Sequence, residues 1–223
     1  MVMNISKGNM YEFVTHTKNY IKGKCLHDCS YCYVKKFKLN PIRLDEKEFE
    51  EDLGENNFIF VGSSCDMFAD DVPEEWILKT LAHCKKHDKN KYLFQSKNPK
   101  RIYQLREQLP DFCVIGTTIE TNRFMPDIMG KSPQLEERSI SMDLLSKEFE
   151  TTVTIEPIMD FDVEELVSLI KECNPAWVNI GADSKGHNLP EPSKDKILKL
   201  VEEIEKFTKI EKKRNLKRIL ETD

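Results

Sequence analysis

No apolar run in these 223 residues approaches the ~18–20 needed to span a bilayer, so a membrane protein is not expected. No Gly/Ser-rich or Pro-rich linker divides the chain, which predicts one domain over residues 1–223 with a single core. No targeting segment is apparent, which points to the cytoplasm. Basic charge is not in excess: 34 Lys and Arg against 39 Asp and Glu leave a net charge of −5. The field of the whole molecule therefore does not favour a phosphate backbone. The cysteines are seven, an odd number, so a disulfide framework is not expected either. With 39% hydrophobic and 33% charged residues, the composition is that of a soluble globular protein.

What is present alternates between short apolar runs and longer amphipathic ones. Tyr20-Ile21, 58–61, 92–94, 113–119, 152–155 and 176–181 read as strands buried on both faces of a parallel sheet. Helices are predicted over about 44–53, 73–87, 99–109, 132–147, 162–173 and 193–207, the last with Ile197, Leu200, Val201 and Ile204 spaced for one buried face. Strand and helix repeated six times imply right-handed parallel crossovers, hence an α/β fold. The basic tail, about 206–223, carries Lys209, Lys212, Lys213, Arg214, Lys217 and Arg218. It reads first as a solvated helical end, and second as a contact for nucleic acid.

Three of the seven cysteines fall within eight residues, Cys25-Leu-His-Asp-Cys29-Ser-Tyr-Cys32. Three thiolates at this spacing can bind three irons of a [4Fe–4S] cube and leave the fourth iron without a protein ligand. Structural zinc would require a fourth ligand, for which His27 and His16 are the nearest candidates, and it usually comes with a second cysteine pair that this chain lacks. The other cysteines, Cys65, Cys84, Cys113 and Cys173, are scattered singly.

The carboxyl ends of the predicted strands, where parallel α/β barrels gather their chemistry, are polar in every case. The cysteines follow the first; Gly62, Ser63, Ser64, Cys65 and Asp66 the second; Ser96 and Lys97 the third. Thr117, Thr118 and Glu120 lie on the fourth, Glu156-Pro157 after the fifth, and Asn179, Gly181 and Asp183 on and after the sixth.

The cysteine spacing, with an aromatic before its last member, resembles the signature of radical SAM enzymes. The segments Cys25–Tyr33, Ser64-Cys65-Asp66, Ser96-Lys97 and Thr117-Thr118-Ile-Glu120 are similar to strand ends of the spore photoproduct lyase family. The stretches from Phe60 to Glu75, Gly116 to Glu120, Ile155 to Pro157 and Trp177 to Asp183 are similar to a phage-associated radical SAM family of unestablished reaction, related to the lyase. The resemblance implies an open six-stranded partial (βα)6 TIM-like barrel, the radical SAM core. It implies two cofactors: a [4Fe–4S] cluster on Cys25, Cys29 and Cys32, and S-adenosylmethionine (SAM).

By the same resemblance Tyr31 lies near the adenine, Gly62 and Ser64 bind the methionine amino group, and Lys97 pairs with the methionine carboxylate. Thr118 and Glu120 bind the sugar hydroxyls, with Ile155 and Asn179 in the adenine pocket. Cys65 and Tyr33 take the catalytic role of returning a hydrogen atom to the product radical. Expected partners are an electron donor such as flavodoxin or ferredoxin, a nucleic-acid or nucleotide substrate and a separate partner protein, with no membrane. The chain is much shorter than the lyase and lacks its DNA-engaging C-terminal hairpin, which argues against thymine-dimer repair. The alternatives are a radical SAM enzyme acting on a small metabolite or peptide, and a non-catalytic Fe–S or zinc protein.

Overall fold

The computed structural model describes residues 3–38 and 40–221. Its strands are β1 (Asn4–Ile5), β2 (His16–Lys18), β3 (Ile21–Lys22), β4 (Arg43–Leu44), β5 (Phe58–Val61), β6 (Lys91–Gln95), β7 (Cys113–Thr118), β8 (Glu150–Ile155), β9 (Trp177–Ile180) and β10 (Lys209–Lys212). The main sheet has eight strands in the order β1-β2-β5-β6-β7-β8-β9-β10, and every strand but β1 runs parallel to its neighbours. Neighbours in space are thus successive in the chain. Right-handed crossovers between successive neighbours all fall on one face. This is barrel wiring, without the order reversal of a doubly wound sheet.

The crossover helices are α1 (Glu74–Lys86), α2 (Pro99–Gln104), α4 (Leu135–Ser146), α5 (Val163–Glu172) and α6 (Lys194–Glu205), with the short α3 (Pro126–Met129) before α4 and α7 (Lys217–Leu220) at the end. Ser193 caps α6 by accepting a hydrogen bond from the Lys196 amide at 3.3 Å. Strand alternation separates two cores. Ile59, Val61, Tyr92, Phe94, Ile115, Val153, Ile155, Val178 and Ile180 face the helices. Phe60, Leu93 and Val114 face the other way, and there meet Tyr11 and Val14, with Met10, Phe13, Phe58 and Trp177 around them. A strap of N-terminal chain, residues 7–14, therefore fills the inner face of the sheet.

The first parallel strand differs from the sequence expectation. It is His16–Lys18, while Ile21–Lys22 pairs with Arg43–Leu44 in a separate two-stranded ladder. Lys18 hides this strand in the sequence. Its side chain is buried, and the charge is balanced by Glu48 at 2.7 Å and by Glu51. Those acids belong to the segment expected to be a helix, which forms only the 3₁₀ turn Glu46–Glu50. The basic tail also departs from expectation. Lys209–Lys212 pairs in parallel with β9 as an edge strand, where charge is tolerated because one side faces water. Arg214–Leu216 and α7 follow, and residues 222–223 of the tail lie outside the described residues. Among the described residues no helix is long and apolar enough to cross a membrane.

Candidate functional site

The carboxyl ends of the parallel strands and the cysteine loop enclose a cavity of about 560 Å³. The loop owes its shape to a segment the sequence reading passed over. The amide of Ser30 donates to the Ile128 carbonyl at 2.8 Å, and that of Lys131 to the His27 carbonyl at 2.7 Å. Cys29 is buried, and its thiol donates to the Met129 carbonyl at 3.2 Å. Gly130 makes this close approach feasible. It has φ +64, and a Cβ there would lie 2.2 Å from the His27 carbonyl oxygen.

After β5, Gly62 turns with φ +82 into a loop fixed by Asn19, whose side-chain oxygen accepts from the Ser64 amide at 2.9 Å. Asp66 anchors the far end of this loop. It accepts from His27 Nε2 at 2.8 Å, from the Ser96 hydroxyl at 2.8 Å and from the Lys97 amide at 2.9 Å. Burial would raise the Asp66 carboxyl; the facing His27 and these hydrogen bonds hold it below its ordinary range instead. One carboxylate thus ties together the cysteine loop, the end of β5 and the end of β6.

Beyond Lys97 lies a second buried network. The Lys97 ammonium donates to the Tyr31 hydroxyl at 2.9 Å, and both Lys97 and Tyr31 contact Glu120. Glu120 is fully buried and also paired with Arg138 at 3.1 Å. Burial opposes ionisation here too, but Lys97 and Arg138 overcome it and bring the carboxyl from its usual 4.5 to about 2. A depressed carboxyl contributes stability above its unfolded pKa and loses it as pH falls toward the folded one. Glu120→Gln is therefore expected to lower the urea midpoint at pH 7 and to flatten its decline between about pH 4.5 and 2. A variant as acid-sensitive as the parent would show that Glu120 does not contribute.

Cys25, Cys29, Cys32, Tyr31, Tyr33, Gly62, Ser64, Cys65, Lys97 and Thr118 all line the cavity. Cys65 is buried beside Cys25, and the contact between the two thiols holds Cys25 below the usual thiol range and Cys65 above it. The half-exposed Tyr33 donates its hydroxyl to the Ser63 carbonyl at 2.9 Å. Glu120 does not line the cavity but stands behind Tyr31 and Lys97. Alternation along β8 turns Ile155 into the helix-facing core. Asn179 lies on the inner face, donating to Thr152 at 3.1 Å, and lines a second cavity of about 520 Å³ between the strap and β10.

The sequence reading did not anticipate the opposite wall. Tyr11 of the strap donates to Gln95 Oε1 at 2.7 Å, and Asn9 donates to Glu156 at 2.7 Å. Glu156 pairs with Lys213 at 2.6 Å, and Asp183 with the His187 ring at 2.7 Å. Glu156 and Asp183 were visible as polar strand ends. Nothing in the sequence marks Tyr11, and Lys213 is marked only as part of the basic tail; both reach the cavity through tertiary folding.

Residues 16–206 match the profile of a family described as a protein of unknown function, DUF5131. The chain belongs to the DUF5131 family. No curated protein matches it. Its fold is similar to that of solved spore photoproduct lyases. A cysteine-to-serine variant of that enzyme aligns with a TM-score of 0.66 and 12% identity over 94% of this chain and 80% of the other. A variant with bound AdoMet and dinucleoside spore photoproduct aligns with a TM-score of 0.58 and 12% identity over 92% of this chain and 66% of the other. At such identity the likeness is one of fold.

The cysteine loop of this DUF5131 chain offers a controlled test of packing. Gly130 and Gly186 share a left-handed φ, +64 and +69, but a Cβ at Gly186 meets nothing within 4 Å. Gly186→Ala is expected to cost only the backbone strain, ~1–2 kcal/mol. Gly130→Ala should cost more, because the cysteine loop must move. Equal melting temperatures for the two variants would refute this.

Proposed function

We propose that this chain is a radical SAM enzyme, with Cys25, Cys29 and Cys32 as ligands of a [4Fe–4S] cluster. The observation that carries the reading is a single cavity, at the carboxyl ends of parallel strands, that takes in all three cysteines and Lys97. The donor set fits a cube. Among the described residues no three His, Cys, Asp or Glu side chains converge tightly enough for one metal ion, but a cube lets each thiolate bind its own iron. The zinc reading is weaker, because structural zinc needs four ligands around one ion and these side chains do not converge so.

When bound and reduced, the cluster supplies the electron that splits SAM into methionine and a 5′-deoxyadenosyl radical. The protein's part is binding, orientation and exclusion of water. Lys97, with 14% of its side chain exposed, would meet the methionine carboxylate, while Gly62 and Ser64 meet the amino group. Tyr31 and Thr118 would flank the nucleoside, with Glu120 fixing Tyr31 and Lys97 from behind. Cys65, at the cavity wall, would give a hydrogen atom to the product radical and be left as a thiyl, with Tyr33 to help relay it.

We take the core to be the six-stranded partial barrel of that superfamily, β2 and β5 to β9, extended by β1 and β10 within a single domain. The electron donor is proposed to be a flavodoxin or ferredoxin. A nucleobase or nucleic acid is the proposed substrate class, supported by the dinucleoside in a structure of similar fold and by Lys7, Lys24, Lys35 and Lys185 on the cavity wall.

Anaerobic reconstitution tests the reading. The reduced protein is expected to give a [4Fe–4S] EPR signal that SAM perturbs. Lys97→Ala should keep its iron but bind SAM roughly tenfold to a hundredfold more weakly, since hydrogen bonds to charged groups are typically worth ~1.5–3 kcal/mol. A signal indifferent to SAM, or a protein that takes up zinc and no iron, would overturn the proposal.

A further inference from the structure

Arg138 lies in the first turn of α4, fully buried, and the cavity does not include it. A buried guanidinium is expensive to desolvate, and an apolar replacement of a buried ion pair is often neutral or stabilising. The first turn of a helix also disfavours a cation, because its amide dipoles point their positive end there. Stability alone therefore gives little reason for an arginine at this position. Its hydrogen bonds give a better one.

The guanidinium distributes its donors among four acceptors. Nη1 reaches the Thr118 carbonyl at 2.7 Å and Glu120 Oε2 at 3.1 Å. Nε reaches the Pro133 carbonyl at 3.0 Å, and Nη2 the Ser132 hydroxyl at 2.7 Å. The Ser132 hydroxyl has one proton, and it donates that proton to the Met129 carbonyl at 2.9 Å. The same carbonyl accepts the Cys29 thiol at 3.2 Å. On the other side, Glu120 holds Tyr31 and Lys97. An unbroken, buried chain thus runs from Lys97 through Glu120, Arg138, Ser132 and Met129 to Cys29.

We infer that Arg138 is a positioning residue that locks the SAM-binding acid–lysine pair and the cysteine loop into one register. The inference rests on the proposed function for the SAM half, while the Cys29 half stands on the apo-protein alone. A planar fork of five donors can span both arms at once; a lysine ammonium can serve Glu120 but cannot also reach Ser132 in the same geometry. The two arms are therefore separable by mutation.

The test reads thiol alkylation of the metal-free protein by iodoacetamide, mapped by mass spectrometry, alongside SAM affinity after reconstitution. In the parent, Cys29 should react slowly and Cys25 and Cys32 quickly. Arg138→Gln is expected to raise the Cys29 rate about tenfold and weaken SAM binding about tenfold, each the loss of one buried hydrogen-bond link. Cys84, Cys113 and Cys173, in the helix-facing core, should stay protected. Arg138→Lys should recover SAM binding but not Cys29 protection. Ser132→Ala, the milder change, should expose Cys29 and leave SAM affinity within about twofold.

Exposure of all cysteines together in Arg138→Gln, with no selective change at Cys29 in Ser132→Ala, would reduce Arg138 to a core residue. Unchanged Cys29 reactivity in both variants would refute the link outright. If the parent binds no SAM, the proposed function fails, and the alkylation arm still decides whether Arg138 holds the loop.

Discussion

Cys29→Ala is expected to yield a folded protein that retains almost no iron after anaerobic reconstitution, measured as iron and sulfide per chain. Cys29 is the most enclosed of the three loop cysteines, directed at the Met129 carbonyl by the packing of the loop on 128–131. In the proposed cube, losing one of three thiolates would leave two irons without protein ligands, and metal affinity of this kind is coupled to the ligand set as a whole. Cys84→Ala, Cys113→Ala and Cys173→Ala should each load iron like the parent. Those thiols are buried among aliphatic side chains on the helix side of the sheet and are inert there. Full iron in Cys29→Ala would remove the basis of the proposed radical SAM reading.

Tyr11→Ala should be strongly destabilising. Tyr11 is buried between Phe60 and Phe13, its ring 5.3 Å from that of Phe13, and Lys213 lies over it at 4.4 Å. Its hydroxyl proton goes to Gln95 Oε1 at 2.7 Å, so the Thr154 hydroxyl at 2.8 Å must donate to the Tyr11 oxygen. Burial pushes the Tyr11 hydroxyl far above its ordinary pKa, which keeps it a donor at any physiological pH. Truncating an aromatic of this kind leaves a cavity and typically costs about 3–5 kcal/mol. Tyr11→Phe, which only strands the hydrogen-bond partners, should cost ~1–3 kcal/mol. Urea unfolding distinguishes them. A Tyr11→Ala midpoint equal to that of the parent would mean that the strap is not part of the cooperative fold.

Some of this was legible in the sequence because the physics is local. Phe58–Val61, Tyr92–Phe94 and Cys113–Thr118 are strands with apolar residues on both faces, and they sit where the apolar runs place them. The cysteine spacing puts three thiols on one cavity wall. What escaped depends on distant partners. His16–Lys18 reads as polar until Glu48 and Glu51 are seen to balance Lys18. Lys209–Lys212 is a strand because β9 offers it an edge. Ile155 and Asn179 fall on the expected strands, yet one faces the helices and the other lies beneath the strap, a difference of facing that motif similarity does not encode. Arg138 reads as one more charge on an amphipathic helix.

The strap has a consequence for how the chain comes to be folded. Asn9 and Tyr11 bond partners 147 and 143 residues further on, and Lys213 closes over the Tyr11 ring later still. Contacts of such long sequence separation are slow to form. The cavity wall opposite the cysteine loop is therefore finished late in folding, once strands far apart in the chain have met.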